Sequence, residues 1–164
     1  AVAKAAAQFL VNRPDARVLD IGSGAGKFCM IGAACTTGHF TGAEQRASLW
    51  LLSQQFSQKS EQSDQLNFLQ ANITDIDFGA FDAVYLFNPF YENIIQSDPI
   101  DDSVQLDRHL YDQYCGYVKR ALENMPPGTR LATYFSYLDE VPETYQLVST
   151  AFDGKLKFWE KRCV

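Results

Sequence analysis

The stretch Val18-Leu19-Asp20-Ile21-Gly22-Ser23-Gly24-Ala25-Gly26-Lys27-Phe28 decides how the rest of this 164-residue chain is read. Val18 to Ile21 have the near-continuous apolar character of a parallel strand buried on both faces. Three glycines at alternate positions follow at once, and then a run compatible with helix. Glycine tolerates positive φ and lets another group lie against bare backbone. A strand, a glycine loop and a helix in that order present backbone N–H groups and a helix N-terminus to a ligand. The ligand site of this chain is expected there.

Working outward, Val2, Ala5, Ala6, Phe9 and Leu10 recur at helical spacing over residues 2–12, and Pro14-Asp15 closes that helix. The first strand is 17–21 and its helix about 25–36. Beyond Gly38, His39 to Ala43 reads as a second strand finishing at Glu44. Residues 46–60 place Leu49, Leu52 and Phe56 on one helical face. After a polar loop, 66–70 is a third strand, followed by polar residues 72–77. Phe81 to Phe87 is rich in aromatic and β-branched residues and gives the strongest strand signal. It stops at Asn88-Pro89, since proline has no N–H for a ladder.

Residues 92–102 form an acidic loop with Glu92, Asp98, Asp101 and Asp102. Asp102 or Ser103 is suited to cap a helix reaching Asn124, with Leu106, Leu110, Tyr114, Val118 and Leu122 in register. Pro126-Pro127-Gly128 ends it. A fifth strand, 129–135, precedes runs at 145–152 and 155–162 joined by Asp153-Gly154, a tight-hairpin signal. The pattern predicts an α/β layered fold with a mostly parallel seven-stranded sheet and a C-terminal antiparallel hairpin. The connection between the third and fourth strands is too short for a full helix. Ligands of such sheets lie outside the carboxyl ends of the strands. That rule gathers the glycine loop, Glu44, Asn72 and Asn88 on one rim.

Composition narrows the partners. An apolar share of 46% with 21% charged residues is that of an ordinary globular domain, expected here as a single unit over 1–164. The chain begins at Ala1 and not Met, consistent with a trimmed N-terminal segment. A net charge of −6 argues against an extensive nucleic-acid surface, though it leaves room for a local basic patch. The lack of a long apolar run or signal pattern predicts no membrane partner and a cytoplasmic location. Cys29, Cys35, Cys115 and Cys163 have no metal-ligand spacing, and His39 and His109 stand alone, so no metal site is expected. Oligomeric state is not readable from these features.

Two glycine-loop readings fail on spacing. A phosphate loop of the form GxxxxGK[ST] would need Gly at position 21 and Ser or Thr at 28, where Ile21 and Phe28 stand. A dinucleotide GxGxxG fingerprint would need a third glycine at 27, which is Lys27. The glycines instead give Asp-x-Gly-x-Gly-x-Gly from Asp20 to Gly26. That spacing resembles motif I of the class I S-adenosylmethionine-dependent methyltransferases. Gly42-Ala43-Glu44 looks like the family's acidic end of the second strand, and Phe81 to Tyr85 like its fourth strand. The closing hairpin looks like its sixth and seventh. The resemblance covers nearly the whole chain from about residue 16 and implies a Rossmann-like fold.

It also implies a cofactor, S-adenosyl-L-methionine, and roles for named residues. Gly22, Ser23, Gly24 and Gly26 would face its methionine part, with Asp20 supporting that loop or the cofactor's amino group. Glu44, followed by Gln45, would take the ribose hydroxyls. Asn72 stands where the family often has an acid for the adenine amino group, and Ile73 would pack on the ring. Plainer roles remain for each: Asp20 as a loop anchor, Glu44 as a helix-start acid, Asn72 as a turn residue.

Asn88-Pro89-Phe90-Tyr91 resembles the (Asp/Asn)-Pro-Pro-(Tyr/Phe) motif of methyltransferases acting on amino or amide nitrogen, with Phe90 in place of the second proline. The resemblance implies that Asn88 and the Pro89 carbonyl accept hydrogen bonds from the target amine beside the cofactor's methyl group, while Tyr91 packs on a planar substrate. The implied activity is methyl transfer to a nitrogen of a protein side chain, nucleobase or small amine. The altered motif keeps an alternative open, a catalytically silent cofactor-binding domain. The acidic loop reads as a solvated segment, or as an attractor for a cationic target; Tyr91 and Tyr137 are the side chains at hand for proton removal.

Overall fold

The computed structural model describes residues 1–94, 100 and 102–163. Helix α1 (Val2–Leu10) leads into β1 (Arg17–Ile21), α2 (Lys27–Cys35), β2 (His39–Glu44), α3 (Ala47–Gln58) and β3 (Leu66–Gln70). Two 3₁₀ turns, Ile73–Asp75 and Phe78–Ala80, make the short crossover to β4 (Ala83–Phe87). A third, Tyr91–Asn93, follows β4; then come α4 (Arg108–Glu123), β5 (Arg130–Tyr134), β6 (Tyr145–Ala151) and β7 (Leu156–Lys161). The sheet order is β3-β2-β1-β4-β5-β7-β6, with β7 antiparallel to β5 and β6 and the remaining pairs parallel.

Strand parity explains why the central strands are apolar throughout. Leu19, Ile21, Val84, Leu86 and Leu131 point to one face, where Tyr114, Val118 and Leu122 of α4 cover them. Val18, Ala83, Tyr85 and Ala132 point to the other, against Ala6, Leu10, Phe28 and Cys29 of α1 and α2. On that second face the Phe28 and Tyr85 rings stack at 3.9 Å. At the opposite end of the sheet from the glycine loop, Arg17 grips Asp82 through Nε and a guanidinium nitrogen, both at 3.1 Å. That contact holds the Asp82 carboxyl down at about 2. No described helix is long and apolar enough to cross a membrane.

Three expectations need correction. The long helix begins at Arg108, capped by Asp107, whose side chain accepts the His109 N–H at 2.9 Å. Asp102 and Ser103 do not cap it, and Leu106 lies outside it. On α3 the apolar stripe is not the buried face: Leu52 and Phe56 are exposed, while Ser53 and Ser57 are buried. Small residues there let the helix sit close on β3, with Trp50 Nε1 and Gln54 both donating to the Phe68 carbonyl. The hairpin ladder closes at Ala151 and Leu156, leaving a four-residue turn. Phe152, Asp153 and Gly154 all have positive φ in it.

Candidate functional site

The glycine loop is clamped to the end of β2. Gly22 and Ser23 donate their N–H groups to the Ala43 carbonyl, at 2.9 and 3.1 Å. Gly24 N–H donates to Glu44 Oε2 at 3.0 Å, and Arg46 N–H to Glu44 Oε1 at 2.8 Å. Gly22 must be glycine for two reasons: its φ is 70°, and a Cβ would stand 2.8 Å from Pro89 Cβ. Gly26, at φ 81°, caps α2 where a Cβ would meet the Phe68 ring at 2.5 Å. The loop therefore touches both β3 and the turn after β4. The Ser23 hydroxyl is buried without a partner among the described residues.

Asp20 is buried on the α2 side of β1, and among the described residues its carboxylate receives only the Cys29 thiol, at 3.6 Å. Burial is the main reason its pKa is raised to about 7; the thiol opposes that rise and the nearby Glu44 charge adds to it. Burial, then the Asp20 charge, also pushes the Cys29 thiol well above its ordinary range. Asp20 has no cationic partner among the described residues. A buried carboxylate in that state favours a cationic ligand group.

A cavity of about 180 Å³, partly open to solvent, lies over this rim. Gly22, Gly24, Glu44, Gln45 and Ile73 line one side, and Pro89, Phe90 and Glu92 the other. Ile100, Val104 and Leu106, the residues before α4, roof it. Of the acidic loop, Asp98 and Asp101 lie outside the described residues. Glu92 does not face a substrate entrance as a free charge: it pairs with the Arg46 guanidinium and accepts the Ile100 N–H at 2.9 Å.

Asn72 sits behind the cavity wall. Its side-chain oxygen accepts Thr74 N–H at 3.1 Å and the Thr74 hydroxyl at 2.9 Å. Its amide donates to Gln45 Oε1 at 3.0 Å and to the Tyr114 hydroxyl at 2.9 Å. The oxygen expected to meet an adenine amine is thus committed to a turn, and Gln45 and Tyr114 are the polar side chains presented to the cavity in its place. Tyr114 carried no sequence signal beyond its place in a helical core stripe.

Asn88, at φ 39°, opens the turn after β4. Its carbonyl accepts the Tyr91 N–H at 3.2 Å, and that of Phe90 the Asn93 N–H at 3.1 Å. Phe90 is buried against Tyr114, ring centroids 5.3 Å apart. The turn is a partition. Pro89 and Phe90 line the first cavity, whereas Asn88 and Tyr91 line a second cleft with Phe87, Phe135, Tyr137 and Lys155. Phe87 and Phe135 were read as strand residues only, and Lys155 as part of the hairpin; nothing local marks an aromatic that a strand end leaves bare. Among the described residues no group of His, Cys, Asp or Glu could hold a metal ion.

Comparison with protein-family models and with curated proteins returns no match. Solved structures do match. An RNA methyltransferase from Salinibacter ruber in complex with S-adenosyl-L-homocysteine aligns over 98% of this chain and 90% of its own, with 16% identity and a TM-score of 0.66. An S-adenosylmethionine-dependent O-methyltransferase from Thermotoga maritima aligns over 99% of this chain and 65% of its own, with 17% identity and a TM-score of 0.66. This is the class I methyltransferase fold. The [4+2]-cyclase SpnF shares it over 80% of this chain, with 17% identity and a TM-score of 0.61. The chain spans 42% of the cyclase's length and just under two thirds of the O-methyltransferase's. The matched structures thus include an RNA methyltransferase, an O-methyltransferase and a cyclase, and only a site can distinguish such chemistries.

Proposed function

We propose that this chain transfers a methyl group from S-adenosylmethionine to a nitrogen acceptor. The observation that carries this reading is the partition: the Asn88–Tyr91 turn stands between a glycine-lined cavity and a separate cleft. A methyl group can be offered on one side and an amine on the other. The residues of the first cavity suit the cofactor. Each Glu44 oxygen accepts one N–H and keeps a second acceptor direction for a ribose hydroxyl. Asp20 does not line that cavity; it is the buried carboxylate two residues before the glycine loop, and meeting the ammonium of the methionine part is its proposed role. Ile73 gives the adenine an apolar wall, with Gln45 and Tyr114 as the polar groups at its edge.

When bound there, S-adenosylmethionine supplies an electrophilic methyl on a sulfonium sulfur. The chain's part is positioning. Asn88 carries a side-chain oxygen that can accept an amine proton and turn the nitrogen lone pair toward the methyl. The Pro89 carbonyl takes no donor from the described backbone and lies on the Gly22 side of the turn, 3.8 Å from where a Gly22 Cβ would be. Phe90, replacing the motif's second proline, puts its bulk into the core and not into the cleft. An amine held there would take the methyl as its bond to sulfur is given up, and the surplus amine proton would leave to water.

Calorimetry with S-adenosylhomocysteine tests the cofactor half: Glu44→Ala should weaken binding at least tenfold, and no binding by the wild type would sink the reading. Transfer of radiolabelled methyl to fractionated cell extract tests the other half. Asn88→Ala should lower transfer about a hundredfold with unchanged S-adenosylhomocysteine affinity. Tight cofactor binding with no transfer to any fraction would favour the silent binding domain that the Phe90 replacement suggests.

A further inference from the structure

The cleft beyond Asn88 has two properties that folding alone does not explain. Phe135 has φ 53°, a left-handed conformation that is an outlier for a bulky side chain, and it is half exposed. Asn88, also in the cleft, has positive φ as well. Such strain persists only where the surroundings over-determine it, and it gathers at ligand sites. Here the Phe135 N–H is held by the Lys155 carbonyl at 3.2 Å. The second property is bare aromatic surface. Phe87 and Tyr137 are each 55% exposed, Phe135 49% and Tyr91 37%. Single exposed aromatics are ordinary, but four around one cleft form a patch of the kind that marks a binding site.

The charges select among ligands. Lys155 Nζ lies 5.4 Å above the Phe135 ring, and Lys157 lines the same cleft. Asp153 is the one acid among the residues lining it. A lysine side chain or aliphatic amine would meet two like charges, and Lys155 already takes a cation's place over the Phe135 ring. A planar base uses them by stacking, which is sequence-tolerant because every base has a π-face. A phosphate on that base would be drawn to the two lysines. An aromatic exocyclic amine is neutral at pH 7, so it needs no prior deprotonation before meeting Asn88.

We propose that the acceptor is a nucleotide, its amine-bearing base stacked among Phe87, Phe135 and Tyr137 and its phosphate on Lys155 and Lys157. This rests on the methyl-transfer reading and names that reaction's acceptor. The net charge of −6 argues against a broad phosphate-binding surface, and a cleft for one phosphate requires none. The same chemistry comes from a free nucleotide or from an unpaired nucleotide in a strand.

The test is calorimetry on the full chain saturated with S-adenosylhomocysteine, titrated with AMP, CMP, adenosine and single-stranded A6 and C6. AMP or CMP should bind, and AMP at least tenfold more tightly than adenosine. Lys155→Gln should erase that difference. Phe135→Gly should cost at least tenfold in nucleotide affinity while the melting temperature stays the same or rises and S-adenosylhomocysteine binding is unchanged. Hexamers binding tenfold more tightly than mononucleotides would identify a strand as the source; equal affinities, a free nucleotide. Absence of binding by all of these probes at millimolar concentration, with S-adenosylhomocysteine bound, overturns the proposal and leaves the methyl-transfer reading standing. Failure of S-adenosylhomocysteine itself overturns both. A Phe135→Gly variant that melts lower and loses the cofactor would show a structural role for that residue; Tyr137→Ala and Lys155→Gln, both changes at the cleft's edge, would then decide, and unchanged nucleotide affinity in both overturns the acceptor assignment.

Discussion

Asp20 shows how much one side chain can carry. Its place before the glycines was legible, because an acid two residues ahead of an alternating glycine run is a local pattern. Its state was not, because burial beside Cys29 and Tyr85 comes from strands and helices far apart in the chain. With a folded pKa of about 7 against roughly 3.9 in an unfolded chain, the sign follows directly. Below about pH 4 the group is protonated in both states and costs nothing. Between about pH 4 and 7 the unfolded chain releases its proton first, so stability falls as pH rises; above 7 the penalty is constant. Asp20→Asn should therefore melt progressively higher than the wild type as pH goes from 4.5 to 8. In the wild type, affinity for S-adenosylhomocysteine should rise with pH through 7, because an ammonium partner favours the ionised carboxylate, and the variant should lose that rise. Parallel melting curves at all pH values would refute the assignment. Tyr114, by contrast, was invisible as a site residue: a tyrosine in a helical core stripe reads as core until Asn72 and the cavity are placed beside it.

At the scale of elements, the strands were legible nearly to the residue because both faces of the sheet are covered, which writes a continuous apolar run into each central strand. The helices were less so. Asp102 and Ser103 precede Val104 and Leu106, and together they imitate a capped helix start; those two apolar residues instead roof the glycine-lined cavity. The real cap, Asp107, precedes Arg108 and His109, which are polar and so gave no apolar cue. Replacing Asp107 with Ala should cost about 1 kcal/mol, the ordinary worth of an N-cap, or roughly 2–4 °C in melting temperature for a chain of this size. Asp102→Ala should cost nothing measurable by the same thermal unfolding, and the reverse ranking would show that α4 begins earlier. The misread face of α3 has a similar origin. Leu52 and Phe56 share a helical stripe with Leu49, but close approach to β3 selects the serines on the other side.

Across the whole molecule, the rim is held by a relay that no local pattern could announce. Gly24 from the β1 loop donates to Glu44 at the end of β2, Glu44 holds the Arg46 N–H, and the Arg46 guanidinium meets Glu92 in the turn after β4. Glu92 in turn holds Ile100 N–H, tying in the segment that precedes α4. Four regions of chain thus converge around one cavity through a single pair of carboxylates. The Arg46 and Glu92 side chains are 8% and 19% exposed, so their pairing is worth more than a surface ion pair and less than a fully desolvated one. Glu92→Gln keeps the shape and removes the charge, with an expected loss of about 1–3 kcal/mol at the rim. Because neither Arg46 nor Glu92 belongs to either core cluster, global unfolding should shift by only a few degrees. Loss of the relay should appear in ligand kinetics: S-adenosylhomocysteine should dissociate about tenfold faster from the variant in stopped-flow displacement, at nearly unchanged association rate, because the pair holds one wall of the cavity in place around a seated ligand. Equal dissociation rates in variant and wild type would show that the pair supports the turn after β4 without contributing to retention of the cofactor.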